Sequence, residues 1–154
     1  MTKIEWKPQY ETGIPIIDEQ HKRLFVRLDA VQRAVVQGSP REEIGDLLQI
    51  LMADTVEHFR TEEAIMAQHG FPDILAHIRE HELLTEKLGE LAQRFDESQD
   101  AMALLVTTFM GGWLRHHISE GDLHYARFIK SGDPDSSSGD LLLALWDQGA
   151  IKFL

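Results

Sequence analysis

His58-Phe-Arg-Thr-Glu-Glu-Ala-Ile-Met-Ala-Gln-His-Gly-Phe-Pro-Asp-Ile-Leu-Ala-His-Ile-Arg-Glu-His81 places two pairs of metal-ligating side chains on either side of a turn. His58 and Glu62 are four residues apart, as are His77 and His81. On a helix that spacing puts both members on one face, one turn apart, so each pair offers two donor atoms to a common point. Between them, His69-Gly70-Phe71-Pro72-Asp73 combines a glycine that can end one helix with an aspartate that can cap the next. The two helices are therefore expected to run antiparallel and to present both pairs inward at similar depth. That is the outline of a metal site.

Working outward, the same periodicity continues on both sides. Ile44, Leu48, Leu51 and Thr55 precede His58 and Glu62 in steps of four and three, and Ile65 follows. Beyond the turn, Ile74, His77 and His81 are followed by Leu84, Leu88, Leu91 and Phe95. Ligands thus come late in one helix and early in the next, which an antiparallel pair brings to the same end. Upstream, Ile17, His21, Leu24, Leu28, Val31 and Val35 form a third seam with His21 at a core position. Gly38 is expected to end that helix, and Ser39-Pro40-Arg41-Glu42 to open the next with a capping box and a proline at the first helical position.

Downstream of a polar break at 96–100, Val106, Phe109, Trp113 and His117 line a fourth helix, with Asp122 beyond. His117 and Asp122 are five apart, a rotation of about 140° on an ideal helix. Both reach one site only if the helix widens locally, so a π-type turn is expected around Ser119 to Gly121. The fold class is therefore all-α: an up-down-up-down antiparallel four-helix bundle with an extended N-terminal arm and a short C-terminal extension. The bundle is assigned to residues 1–129, with the arm at 1–16 pinned by Trp6 and Tyr10. Residues 130–140 are a linker or loop and 141–154 an apolar extension. That extension, Leu141 to Leu154, is expected to fold back on the bundle or self-associate, or else to dock on a partner or a membrane surface.

Composition narrows the function. At 154 residues the chain suits one domain, and 43% apolar with 27% charged residues is ordinary for a water-soluble protein. A formal net charge of -11 argues against nucleic acid, whose phosphates require clustered Lys and Arg. The N-terminal stretch has no apolar signal core, and no apolar run is long enough for stable membrane insertion. With no cysteine there is no disulfide framework or thiolate chemistry, which fits a reducing compartment; a cytoplasmic location is expected.

Five histidines and two carboxylates converge in this reading: His21, His58, Glu62, His77, His81, His117 and Asp122. A single metal takes at most six, whereas two metals bridged by carboxylates use all seven. Imidazole with carboxylate suits iron, copper, nickel or zinc rather than magnesium or calcium. A lone histidine is most often an ordinary core or surface residue. A set at consecutive seam positions is different, because each unpaired buried polar group would cost about 1–3 kcal/mol. His69, His116 and His124 fall off the constellation, as surface or supporting residues. Neither Glu-x-x-His, His-Glu-x-x-His, a Gly-rich phosphate loop nor Gly-x-Ser-x-Gly is present.

Ile17-Asp-Glu-Gln-His21-Lys-Arg-Leu-Phe25, His58-Phe-Arg-Thr-Glu62-Glu63, Gly70-Phe-Pro-Asp73, His77-Ile-Arg-Glu-His81 and Trp113-Leu-Arg-His-His117-Ile-Ser-Glu-Gly-Asp122 resemble the hemerythrin family, specifically its single-domain bacterial form. The resemblance covers about residues 4–129 and matches all seven ligand positions. It implies an oxo- or hydroxo-bridged centre of two iron ions that binds O2 reversibly, for storage, delivery or scavenging. It also implies that His77, His81 and His117 hold one iron and His21 and His58 the other, with Glu62 and Asp122 bridging and the open position on the two-histidine iron. Phe59, Trp113, Leu114 and Ile118 resemble the family's apolar O2 pocket, and Tyr125 is a plausible supporting residue. The alternative is an O2 or redox sensor that signals to a partner through the bundle surface or the tail. No general acid or base stands out beside the cluster, so no catalytic residue is assigned and an enzyme is not expected. Gly111-Gly112 departs from the family pattern, and close helix packing is its expected reason.

Overall fold

The computed structural model describes residues 3–96 and 101–131. A 3-10 turn, Pro8–Tyr10, precedes helices α1 (Pro15–Val36), α2 (Arg41–Gln68), α3 (Ile74–Asp96) and α4 (Met102–His116). A π-helical turn, His117–Asp122, joins α4 to α5 (Leu123–Ser131). Backbone angles stay right-handed helical at both junctions, so α4, the π turn and α5 form one continuous rod. That rod is the fourth helix of the bundle. Each long helix packs on its neighbours in sequence, and α1 on α4 closes the ring.

The helix pairs run antiparallel. Arg27 meets Asp54 and Gln20 meets Thr61, so position advances along α1 as it recedes along α2. Gly45 faces Phe95 at one end of the next pair and Glu62 faces His77 at the other. The seams read from periodicity are buried throughout, apart from Val35, Ile65 and Ile74, which are half-buried at the ends of their runs. Leu28, Leu51 and Leu84 are completely enclosed. Each such leucine contributes about 1.5–3 kcal/mol by leaving water.

Helix ends account for the turns. Gly38 has φ 69° and follows α1, with the Ser39 amide donating to the Ala34 carbonyl at 2.9 Å. Gly70, at φ 64°, closes α2 in the same way through Phe71 N to Met66 O at 3.0 Å. Both are left-handed glycine caps whose six-to-one bond satisfies an otherwise unpaired carbonyl. The expected capping box at Ser39 does not form: Pro40 is the N-cap of α2 and no side-chain bond caps it. Ser39 is used instead to finish α1. The proline at a first helical position is Pro15, which starts α1 two residues earlier than expected.

The arm is held by more than its aromatics. Tyr10 stacks on Phe25 at 5.6 Å, and Lys22 lies 4.5 Å from the centre of the Trp6 ring. The Asp18 carboxylate accepts from Thr12 N at 2.7 Å, Thr12 Oγ1 at 2.8 Å and Gly13 N at 3.0 Å, fastening the arm to the first turn of α1. At the other terminus, α5 runs to Ser131, two residues into the segment read as a linker. Residues 141–154, assigned as the apolar extension, lie outside the described residues.

Two apolar clusters result among the described residues. The larger fills most of the bundle, from Leu28, Leu48 and Leu91 up to Phe59, Trp113, Leu114 and Ile118. The smaller, Ile17, Met66, Phe71 and Tyr125, caps the end where the helices turn. The seven candidate ligands belong to neither.

Candidate metal centre

His21, His58, Glu62, His77, His81, His117 and Asp122 are all buried. They form two overlapping groups whose potential ligand atoms lie within 4.8 Å of one another: Glu62, His77, His81 and His117, and His21, His58, Glu62 and Asp122. Glu62 belongs to both. Its Oε2 lies 3.0 Å from His77 Nε2 and 3.5 Å from His81 Nε2, while its Oε1 faces His58 Nε2 and lies 3.5 Å from His21 Nε2. Asp122 is divided in the same way: Oδ1 is 3.1 Å from His77 Nε2 and 3.0 Å from His117 Nε2, and Oδ2 is 2.8 Å from His21 Nε2. Each carboxylate therefore turns one oxygen to each group.

The π turn makes this possible. Its extra residue brings Asp122 onto the face of His117, as the five-residue spacing demanded. Gly121 inside the turn lets the rings lie close to its backbone. A Cβ there would sit 3.3 Å from His77 Cε1 and 3.4 Å from His117 Cε1, close enough that the His77 ring must give by a few tenths of an ångström. Gly111 has no such need, since a Cβ would meet only Arg115 Nη1 at 3.9 Å. Close packing, the expected reason for Gly111-Gly112, does not apply at Gly111; it lines a surface cavity of 270 Å³ with Arg115 and Gln32.

Several of the inward atoms fit a cation better than they fit one another. His21 Nε2, His58 Nε2, Glu62 Oε1 and both Asp122 oxygens are buried without a hydrogen bond, although nitrogen and oxygen approach closely. Proximity without hydrogen-bond direction is what lone pairs aimed at a shared point produce. The donor set, imidazole nitrogens with carboxylates, is a transition-metal set.

Without a metal the cluster is balanced by protons. Burial opposes charge on His21, but the Asp122 and Glu62 carboxylates outweigh it and raise the imidazole from 6.5 to about 9. His117 is raised well above its ordinary value, its burial overcome by Asp122 and Glu80. His77 is raised against both burial and His117 repulsion, by Asp122 and Glu62. For His58 burial prevails over Glu62, and its value is lowered. Burial would raise both shared carboxyls, yet the imidazoles hold each below the carboxylate range: His58, His21 and His77 for Glu62, and His117 and His21 for Asp122. A metal entering here displaces protons.

Outer partners orient the rings. His58 Nδ1 donates to Gln20 Oε1 at 2.8 Å, His81 Nδ1 to Glu63 Oε1 at 3.2 Å and His117 Nδ1 to Glu80 Oε2 at 2.8 Å. Each bond turns Nε2 toward the cluster, where those of His81 and His117 lie 3.1 Å apart. Gln20, Glu63 and Glu80 were not singled out in the sequence. Each is the immediate neighbour of a ligand position, but none serves that neighbour: Gln20 precedes His21 and holds His58, and Glu80 precedes His81 and holds His117. Only the register between helices assigns them.

Two apolar rings lie directly against the cluster. Phe59 stacks on His81 with centroids 3.8 Å apart, and Trp113 on His117 at 4.2 Å. Leu114 and Ile118 are buried in the same apolar cluster as these two rings. From the capping side, Tyr125 meets His77 edge-on at 5.4 Å. Its buried hydroxyl has no hydrogen-bond partner, and burial together with Glu62 and Asp122 holds the phenol well above its usual value. Of the remaining histidines, His69 is exposed and His116 half-buried. His124 is buried but outside the cluster: its Nε2 donates to Asp73 Oδ2 at 3.0 Å, tying α5 to the start of α3.

Comparison with known proteins agrees with this geometry. Residues 12–129 match the hemerythrin HHE cation binding domain. The chain is 32% identical to a bacteriohemerythrin of Stenotrophomonas maltophilia over 132 residues, covering 85% of this chain and 84% of the relative. It is 31% identical to a bacteriohemerythrin of Methylococcus capsulatus, covering 76% and 88% respectively. A hemerythrin-like protein of Naegleria gruberi is 26% identical over 125 residues. No solved structure gives a significant match. With its four-helix ring, its two carboxylate-linked ligand groups and a family match across the whole bundle, the chain belongs to the hemerythrin family.

Proposed function

We propose that the protein binds dioxygen reversibly at a non-haem di-iron centre held by His21, His58, Glu62, His77, His81, His117 and Asp122, and that it stores, delivers or scavenges the gas without transforming it. The observation that carries this reading is the division of Glu62 and Asp122: Glu62 turns one oxygen toward His77, His81 and His117 and the other toward His21 and His58, and Asp122 turns one toward His77 and His117 and the other toward His21. Two cations side by side explain both carboxylates at once. A pair of ferrous ions, when bound, supplies the two electrons that reversible dioxygen binding requires.

The protein's part is to hold, orient and exclude. Five imidazoles are aimed by packing and by their outer hydrogen bonds, so the donors are in place before metal arrives. The two-histidine side has one protein donor fewer, which leaves room there for the gas. Phe59, Trp113, Leu114 and Ile118 admit an apolar diatomic while keeping out the water and protons that promote irreversible oxidation. Tyr125 Oη keeps its proton at neutral pH, so the capping side adds no further negative charge. Among the described residues no helix is long and apolar enough to cross a membrane. A cytoplasmic location, fitting the cysteine-free composition, is part of the proposal.

Gas uptake by anaerobically iron-loaded protein tests the reading. One dioxygen taken up per iron pair and released when the pressure falls is the expected result. Continuous consumption, or uptake without release, would instead favour an enzyme or a redox sensor. Ile118→Glu carries a charge into the apolar shell and should speed irreversible oxidation by roughly tenfold, a barrier change of about 1.4 kcal/mol. An unchanged oxidation rate would remove Ile118 from the pocket.

A further inference from the structure

The two ligand groups differ in the charge standing behind them. On the three-histidine side, the outer nitrogens of His117 and His81 donate to the carboxylates of Glu80 and Glu63. On the two-histidine side, the outer nitrogen of His58 donates to the neutral amide of Gln20, and Nδ1 of His21 is buried without a hydrogen-bond partner. The Gln20 amide is oriented by its own network: its Nε2 donates to Thr61 Oγ1 at 3.1 Å, and that hydroxyl donates to the Glu57 carbonyl at 3.0 Å. Glu62 and Asp122 are shared and do not distinguish the sides. The outer residues do: two carboxylates stand behind one group and a single neutral amide behind the other.

A carboxylate accepting the Nδ1 proton draws positive charge onto that end of the ring and makes Nε2 a stronger donor to a cation. The effect is greatest where water does not screen it. Glu80 is only 3% exposed, whereas the Glu63 side chain is 31% exposed and opens onto a cleft of 380 Å³ that it shares with Arg60. Glu80 is therefore the stronger of the two.

We propose that Glu80 and Glu63 are positioning residues that make the three-histidine side the tighter metal site, so that metal-free protein fills His77, His81 and His117 first and His21 and His58 second. The inference rests on the two-metal reading above. Its consequence is that the side with the open position is also the side from which metal is lost first.

Anaerobic titration of metal-free protein with cobalt(II), followed by calorimetry and by the visible spectrum of the bound ion, tests the order. Wild type should bind two equivalents in steps separated by at least roughly tenfold in affinity. Glu80→Gln should weaken the first step by about 10–100-fold and leave the second nearly unchanged, with a smaller change for Glu63→Gln. Gln20→Glu should tighten the second step and narrow the gap. Glu86→Gln, on the wall of the same cleft, should move neither step. A purely structural role would move both steps together. Two equal steps in wild type, or Glu80→Gln weakening both steps alike or neither, would overturn the proposal while leaving a two-metal site standing. Should Glu80→Gln fail to fold, Glu63→Gln and Gln20→Glu decide by the same criterion. A single equivalent bound by wild type would overturn the two-metal reading itself, and this proposal with it.

Discussion

The two halves of the bundle use the same seams for opposite purposes. In the half built around Leu28, Leu51, Leu88 and Leu91, the seam is apolar and, apart from half-buried Val35 at its end, buried; Thr55 at the boundary turns its hydroxyl back to the Leu51 carbonyl, and the contacts complete themselves. In the other half the seam continues as His21, His58, Glu62, His77, His81 and His117, equally buried, with ligand atoms of His21, His58 and Glu62 that lack hydrogen bonds among the described residues. The first half earns its stability from water exclusion alone. The second is stable because the first holds it in shape, and it is incomplete until a cation arrives. The lesson is that a prebuilt metal site is a core with its last contacts left open.

Substitutions should separate the halves. The largest effect is expected from Glu62→Ala, which removes the carboxylate common to both ligand groups: metal affinity should fall by more than about 100-fold, beyond the loss of an outer partner, and two equivalents should no longer bind. Calorimetric titration reads this, and unchanged two-site binding would break the distinction. Leu51→Ala, in the apolar half, should cost about 2–5 kcal/mol of folding stability in denaturant while the loaded protein still binds two metals. Loss of stoichiometry there would mean that the halves are not separable.

Smaller changes sharpen the boundary. Gly121→Ala should lower metal affinity by roughly tenfold by crowding His77 and His117, whereas Gly111→Ala should stabilise the helix by up to about 1 kcal/mol without altering metal binding. Equal effects at the two positions would deny the π turn its special tolerance. The smallest effect concerns pH. His21 is raised from 6.5 to about 9 in the metal-free fold, so it holds a proton that the unfolded chain loses. Its contribution is complete below pH 6.5 and is lost as pH rises through 9. The Tm of metal-free protein should therefore fall by a few degrees across that window, and metal loading at pH 7 should release protons. A Tm that rises over the same range would contradict the assigned charge.

Much of this was readable from spacing alone. The alternation of four and three along the chain marked the helices, and the late ligands of α2 with the early ligands of α3 placed the site at one end. The five-residue step from His117 to Asp122 called for the π turn that is found there. Spacing did not reveal what depends on register between helices. Gln20, Glu63 and Glu80 reach across to histidines on other helices, and nothing local distinguishes them from ordinary surface polar residues. Gly121 was hidden for a related reason, because its requirement comes from ring atoms of His77 on α3 as well as from its own turn. At the α2 start the local signal misled: Ser39 has the residue type and spacing of a cap, but its amide was already committed to ending α1.

The optical spectrum of anaerobically iron-loaded protein, recorded before dioxygen, in its presence and after its removal, addresses the central claim most directly. An absorption band that appears with the gas and vanishes when it is withdrawn, over repeated cycles, is the expected result. A band that never forms, or a ferric spectrum that does not revert, would contradict reversible dioxygen binding.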